Sequence, residues 1–153
     1  MTLLLALLIG VVAGLRTMTA AAAVSLAACF GWIDLSGTWL AFLGSGIAAA
    51  ILTVLALAEF VTDQLPSTPS RKVPVQFGAR IVIGAIAGYA LGSLGDGSGA
   101  LGGVAGIVGA MLGTLGGAEA RGRLATALGS DRPAAILEDI VTVLLALLTV
   151  SSA

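Results

Sequence analysis

The chain contains no histidine, and Cys29 is its one cysteine. Those two counts exclude a disulfide framework, Cys/His metal sites and imidazole-based catalysis. Charge is scarce as well, with Lys, Arg, Asp and Glu making up 10% of the residues, against roughly 25% in ordinary soluble domains. Seven basic residues nearly balance eight acidic ones, and no basic cluster stands out, which argues against a nucleic-acid partner. Disorder needs low hydrophobicity and high charge, and neither applies. No nucleophile–base pair or metal-ligand spacing is visible. The expectation is therefore a protein that is not an enzyme, with no catalytic residues, no metal and no cofactor.

What the sequence does have is apolar surface. Of its 153 residues, 58% are hydrophobic, and the mean hydropathy is +1.11. Too little polar surface remains to wrap a soluble globule of this size. The composition predicts an all-α polytopic membrane bundle forming one integral membrane domain over 1–153, with the lipid bilayer as its first partner. A crossing takes about 20 apolar residues, and five runs qualify or nearly so: Leu3–Phe30, Trp39–Val61, Ile81–Leu94, Ala100–Ala118 and Ala134–Val150. The first is unusually long, which predicts a helix either tilted or broken near Arg16. Leu3–Ala13 followed by Ala20–Ala23 has the outline of a signal peptide, but no Lys or Arg precedes the apolar core, so the run reads as a span. Pro66, Pro69 and Pro74 mark Gln64–Gln76 as a non-helical connection. Gly129 is a plausible helix stop, with Ser130 or Asp131 as the next N-cap and Pro133 in the first turn of the last span.

Orientation follows from the basic residues. Arg71, Lys72 and Arg80 adjoin one connection, and Arg121, Arg123 and Arg132 adjoin another; the stretches around Asp34 and Asp96 have neither Lys nor Arg. In a five-span arrangement all six fall on one side, which the positive-inside rule makes cytoplasmic. The N-terminus is then expected in the cytoplasm and the C-terminus outside. Phe30, Trp32, Trp39 and Phe42 bracket the outer loop as an aromatic belt.

Two stretches recur in order. Ile9–Gly14 resembles Ile83–Gly88, and Gly46–Glu59 resembles Gly106–Glu119, each of the latter pair closing on a glutamate. Weak internal symmetry is common in transporter folds, so the matches predict two hairpin units, 1–74 and 75–128, plus an extra helix at 133–151. Composition alone is the competing explanation in a chain this rich in Ala, Gly and Leu. Glycines spaced by four (Gly10 and Gly14; Gly84, Gly88 and Gly92; Gly109, Gly113 and Gly117) give helix faces on which another backbone can come close. Such faces serve packing within the chain or between copies of it in a homo-oligomer.

Arg16 is the conspicuous charge. It sits mid-way along a long apolar run, where a charged side chain costs about 2.5–3.5 kcal/mol on insertion scales. It needs a partner, and the candidates are carboxylates at comparable depth: Glu59 and Asp63 ending one span, Glu119 in the matching position of another, and Glu138 with Asp139 early in the last. These residues are either an ion-pair network pinning helices together or the binding site for an ion or small solute. The surplus of acids favours a cation or proton, since crowded carboxylates raise one another's pKa.

Gly14-Leu15-Arg16-Thr17-Met18-Thr19, Glu59 with Asp63-Gln64-Leu65-Pro66-Ser67-Thr68-Pro69-Ser70-Arg71, Glu119-Ala120-Arg121, and Asp131-Arg132-Pro133 with Glu138-Asp139 resemble an uncharacterised bacterial integral-membrane family, catalogued as domain of unknown function 4126. The resemblance covers nearly the whole chain. It implies a multi-pass protein of the bacterial inner membrane and brings no established activity. Its motif residues coincide with the ionisable set above. The Ser67–Arg71 stretch has hydroxyls and basic groups able to hold phosphate, although a proline-stiffened turn explains it equally.

Taken together, the sequence predicts a small transporter or channel for an ion or small solute, with proton or cation coupling, through a cytoplasm-facing site of Arg16, Glu59, Asp63, Glu119, Glu138 and Asp139. The alternative is a structural or assembly protein that packs through its glycine faces into a homo-oligomer or onto a partner.

Overall fold

A computed structural model of the chain describes residues 1–63, 73–95 and 97–153. Among them there are six α-helices and no strand: α1 (Thr2–Leu15), α2 (Thr17–Cys29), α3 (Gly46–Thr62), α4 (Pro74–Gly92), α5 (Gly99–Leu128) and α6 (Asp131–Ser151). A 3-10 turn at Ala41–Gly44 precedes α3. Three helices, α4, α5 and α6, are long and apolar enough to cross a membrane; α1, α2 and α3 are shorter apolar helices.

The helix ends follow local chemistry. Ser45 caps α3 by accepting from the Ala48 amide, and Ser98 caps α5 in the same way from Leu101. Gly129 closes α5 with φ +68, a left-handed conformation that costs glycine little. Pro74 opens α4 at its first position, where no N–H is required. Helix therefore begins inside the stretch read as a non-helical connection, and Arg80 lies on it.

The long first run is not one helix. Arg16 has φ −142 and ψ 108, an extended residue between two helices, and the chain reverses there. The directions follow from the contacts. The Arg16 side chain meets Asp63 at the C-terminal end of α3 and Asp139 near the start of α6, while Arg80 in α4 reaches Gly14 and Leu15. Arg121, late in α5, donates to the Asp63 carbonyl. Helices α1, α3 and α5 thus end at this charged end of the bundle, and α2, α4 and α6 begin there. Glycine contacts give the same result: Gly10 meets Gly106 and Gly14 meets Gly113, so α1 and α5 run parallel, whereas Gly84 and Gly92 meet Gly106 and Gly102 in antiparallel register.

Of the two forms expected for Leu3–Phe30, tilted or broken near Arg16, the structure has the break, but the run does not form a single crossing. At 1.5 Å per residue α1 and α2 are each about 20 Å long, short of a hydrocarbon core of about 30 Å. They form a hairpin with its tip at Arg16, so both ends of the chain point away from the charged end instead of lying at opposite ends. The expected repeat of 1–74 and 75–128 is not confirmed by this geometry. Ile9–Gly14 runs toward the charged end and Ile83–Gly88 away from it, while the other matched pair runs in one direction, so no single operation relates both pairs.

The core of the bundle is α1, α4 and α5, packed almost backbone to backbone. A Cβ built on Gly10, Gly14, Gly84, Gly88, Gly92, Gly102, Gly106, Gly109 or Gly113 would come within 3.0 Å of an atom on a neighbouring helix. These glycine faces meet one another inside the chain. Where the surroundings are apolar, such close van der Waals contact is what holds helices together. The outward surface is correspondingly aliphatic, with Val54, Val82, Leu112 and Leu148 all exposed.

Gly106→Ala pushes a methyl into the Gly84 and Gly88 backbone, and overpacking of this kind costs typically 1–3 kcal/mol. Gly116, whose added Cβ meets nothing within 4 Å, should tolerate alanine with a gain of up to about 1 kcal/mol from helix propensity. Thermal unfolding of the two variants in detergent tests the contrast. Equal melting temperatures would refute the close-packed core.

Candidate functional site

Breaking a helix inside an apolar bundle exposes the last carbonyls of one half and the first amides of the other. Side chains from three other helices complete both ends. Nη1 of Arg80 donates to the carbonyls of Gly14 and Leu15, each at 2.9 Å, and the Thr114 hydroxyl also donates to Gly14 at 3.3 Å. The Glu59 carboxylate accepts from the amides of Thr17 and Met18, each at 2.8 Å. A cation therefore stands at the C-terminus of α1 and an anion at the N-terminus of α2, each opposite in sign to the helix end it meets. The two caps approach each other, with Nη2 of Arg80 lying 4.0 Å from the Glu59 carboxylate.

Arg16 occupies the break itself, its side chain fully buried. Its Nε donates to Asp139 at 2.7 Å, Nη1 pairs with Asp63, and Nη2 also faces Asp139. The Phe60 ring centroid lies 5.7 Å from the guanidinium carbon, within the range of a cation–π contact. One cation is thus shared by two acids from different helices, and those acids keep side-chain exposures of 15% and 16%. Arginine suits this position because it stays charged and presents several donors in a rigid fork.

A third arginine extends the network toward the ends of α3 and α5. Arg121 donates to Asp131 at 2.6 and 2.9 Å and to the carbonyl of Asp63 at 3.3 Å, and its Nη1 lies 3.5 Å from Glu138. The cluster then comprises Arg16, Arg80 and Arg121 against Glu59, Asp63, Asp131, Glu138 and Asp139. Acids outnumber cations by two, and no group of three or more acids, cysteines or histidines among the described residues is arranged to hold a metal ion.

Of the six residues picked out from sequence, five come together and Glu119 does not. Its carboxylate is exposed and pairs with Arg123 one turn on, at 2.9 Å. It turns outward because α5 continues well past the packed core. Arg80 is the residue that sequence reasoning misses: beside a loop it reads as an orienting charge, and its place six residues inside a helix opened by Pro74 is the available signal. Phe60 gave no signal among so many apolar neighbours. The Ser67–Arg71 stretch, Arg71, Lys72 and Asp96 lie outside the described residues.

Removing one partner of a buried ion pair is costly because it strands the other, typically by 3–5 kcal/mol. Arg16→Met should lower stability by about 3 kcal/mol, whereas Arg123→Met, on the exposed pair with Glu119, should change it by less than about 0.5 kcal/mol. Thermal unfolding of both variants decides it: similar, small effects would mean that Arg16 is not a buried partner.

Against known proteins, no curated protein and no solved structure matches the chain. A family model described as domain of unknown function (DUF4126) matches residues 3–152, a span that takes in all six helices and every member of the charged cluster. The chain belongs to the DUF4126 family.

Proposed function

We propose that this protein is an integral membrane transporter or channel for a small cation or proton, and that Asp63 and Asp139 form its exchangeable site. One observation carries the reading: two partly exposed carboxylates share a single buried guanidinium at the tip of a helical hairpin. Ionisable groups at such depth are expensive and mark solute pathways by default. Helices broken at membrane depth, with their ends facing ionic groups, are a recurrent device of transporter sites. With two acids to one fixed cation, one carboxylate can take up a proton or a small cation while the other holds Arg16. Glu59 and Arg80 keep the hairpin ends satisfied and position the tip. Glu138 and Arg121 pair beside the site.

The topology belongs to the same proposal. The whole chain, 1–153, is one membrane domain in the plasma (inner) membrane of a bacterium. The charged end, with Arg80, Arg121, Arg123 and Arg132, faces the cytoplasm by the positive-inside rule. The hairpin enters from the outer side, α4 to α6 cross, and α3 together with the 3-10 turn before it makes the remaining crossing. Both termini lie outside, with Phe30, Trp32, Trp39 and Phe42 at the outer interface. Assembly through the glycine faces is not part of this reading, since those faces pack against each other within the chain.

Proteoliposomes loaded with a pH-sensitive dye and given an imposed pH gradient, with and without sodium or potassium, provide the test. The wild-type protein should dissipate the gradient, Asp139→Asn and Asp63→Asn should slow this at least tenfold, and Glu119→Gln should leave it unchanged. Equal rates for wild type and both aspartate variants would reject the site. For topology, cysteines introduced at Thr2 and Ala153 in a Cys29→Ala background should both react with an impermeant maleimide added to intact cells. Reaction at one terminus only would contradict the hairpin arrangement.

A further inference from the structure

We infer that α3 is a gate: a helix hinged at its N-terminal end and latched at its C-terminal end by the charged cluster. Its packing differs from that of every other long helix. Of its 17 residues only Ala49 and Ala56 are buried, and it packs on α2 and the Ala41–Gly44 turn, not on the close-packed α1–α4–α5 core. Between α3 and α4 lies an apolar groove of about 350 Å³, floored by Val24 and Ala87 and walled by Ile51, Leu52, Ile83 and Ile86. No close glycine contact ties α3 across it, since a Cβ on Gly46 would meet nothing within 4 Å.

The two ends of α3 are built differently. At the N-terminal end, the Ser25 hydroxyl donates to the Leu43 carbonyl at 2.5 Å and pins the 3-10 turn to α2. The next residues, Gly44-Ser45-Gly46, leave the turn through an extended Ser45. A fixed point followed by two glycines is suited to bending, because glycine admits backbone changes at little steric cost. At the C-terminal end the ties to the rest of the bundle are mainly ionic and polar, with the Phe60 ring against Arg16 and the buried Ala56 beside them. Glu59 holds the amides of Thr17 and Met18 and faces Arg80; Asp63 holds Arg16, and its carbonyl accepts from Arg121. Charge-assisted bonds are strong while both partners are ionised and weaken when one is neutralised. The latch therefore opens when Asp63 and Glu59 lose their charge. Helix α3 then swings about Gly44–Gly46 and widens the gap between α3 and α4 from the groove, which begins near the hinge at Phe42 and Leu43, toward the charged end. Asp139, Glu138 and Asp131 stay with Arg16 and Arg121 on the other side, so the cations keep partners while α3 moves.

The trigger rests on the proposed exchange at Asp63, but the hinge and latch do not, and the test reads them without any flux. Spin labels at Leu57 on α3 and Val82 on α4, both exposed, report the groove; labels at Val82 and Val104 report the α4–α5 core as a control. In lipid, the double variant Glu59→Gln, Asp63→Asn should raise the longer-distance population of the first pair about tenfold over the otherwise unaltered labelled protein, with the control pair unchanged. Asp139→Asn, which leaves the ties of α3 intact, should not shift the first pair. An unchanged Leu57–Val82 distribution in the double variant would overturn the gate, and so would equal broadening of both pairs, which would mean general loosening.

Discussion

A guanidinium with no access to solvent requires acids around it, and most of the architecture can be understood from how that requirement is met at Arg16. The residue stands where one apolar run of the sequence breaks into two short helices, and the break creates a second demand, for partners to the freed carbonyls and amides. Asp63 and Asp139 meet the first demand; Arg80, Thr114 and Glu59 meet the second. Each of these side chains arrives from a different part of the chain, which forces α3, α4, α5 and α6 to bring particular ends to one place. The alternating directions of the six helices are a consequence of that convergence.

Two kinds of cohesion are combined here. Around α1, α4 and α5 the backbones touch through glycine, and the contacts are dispersive, dense and intolerant of added volume. Around the hairpin tip the contacts are few, ionic and sensitive to protonation. The first kind makes a rigid body, and the second fixes the more weakly packed elements to it. Close-packed glycine contacts and ionic contacts thus hold different parts of the same bundle, and acids outnumber cations in the ionic part.

Much of this was legible in the sequence. The scarcity of charge made the few ionisable residues stand out, so Arg16, Glu59, Asp63, Glu138 and Asp139 could be grouped before their geometry was known. The helix stop at Gly129 and the start at Ser130–Asp131 could be read from turn chemistry. A break near Arg16 was one of two readings open for the long run, but the reversal of direction there was not legible. Hydropathy records how apolar a stretch is and not its direction, and Leu3–Phe30 is apolar on both sides of the break. The role of Arg80 was hidden for a related reason: a basic residue near a loop looks the same whether it faces headgroups or turns inward to cap a helix. Glu119 misled through its match to Glu59, since equal position along two helices does not imply equal surroundings when one helix extends beyond the core.

The hairpin at Arg16 is the claim on which the rest depends, and one distance tests it. Spin labels at Leu3 and Phe30, read by double electron–electron resonance in lipid, would lie about 40 Å apart on a continuous helix at 1.5 Å per residue. Two helices of about 20 Å folded back at Arg16 bring the same labels to within about 25 Å. A dominant short distance is the predicted result. A narrow distribution near the longer value would contradict the hairpin, and with it the charged site at its tip.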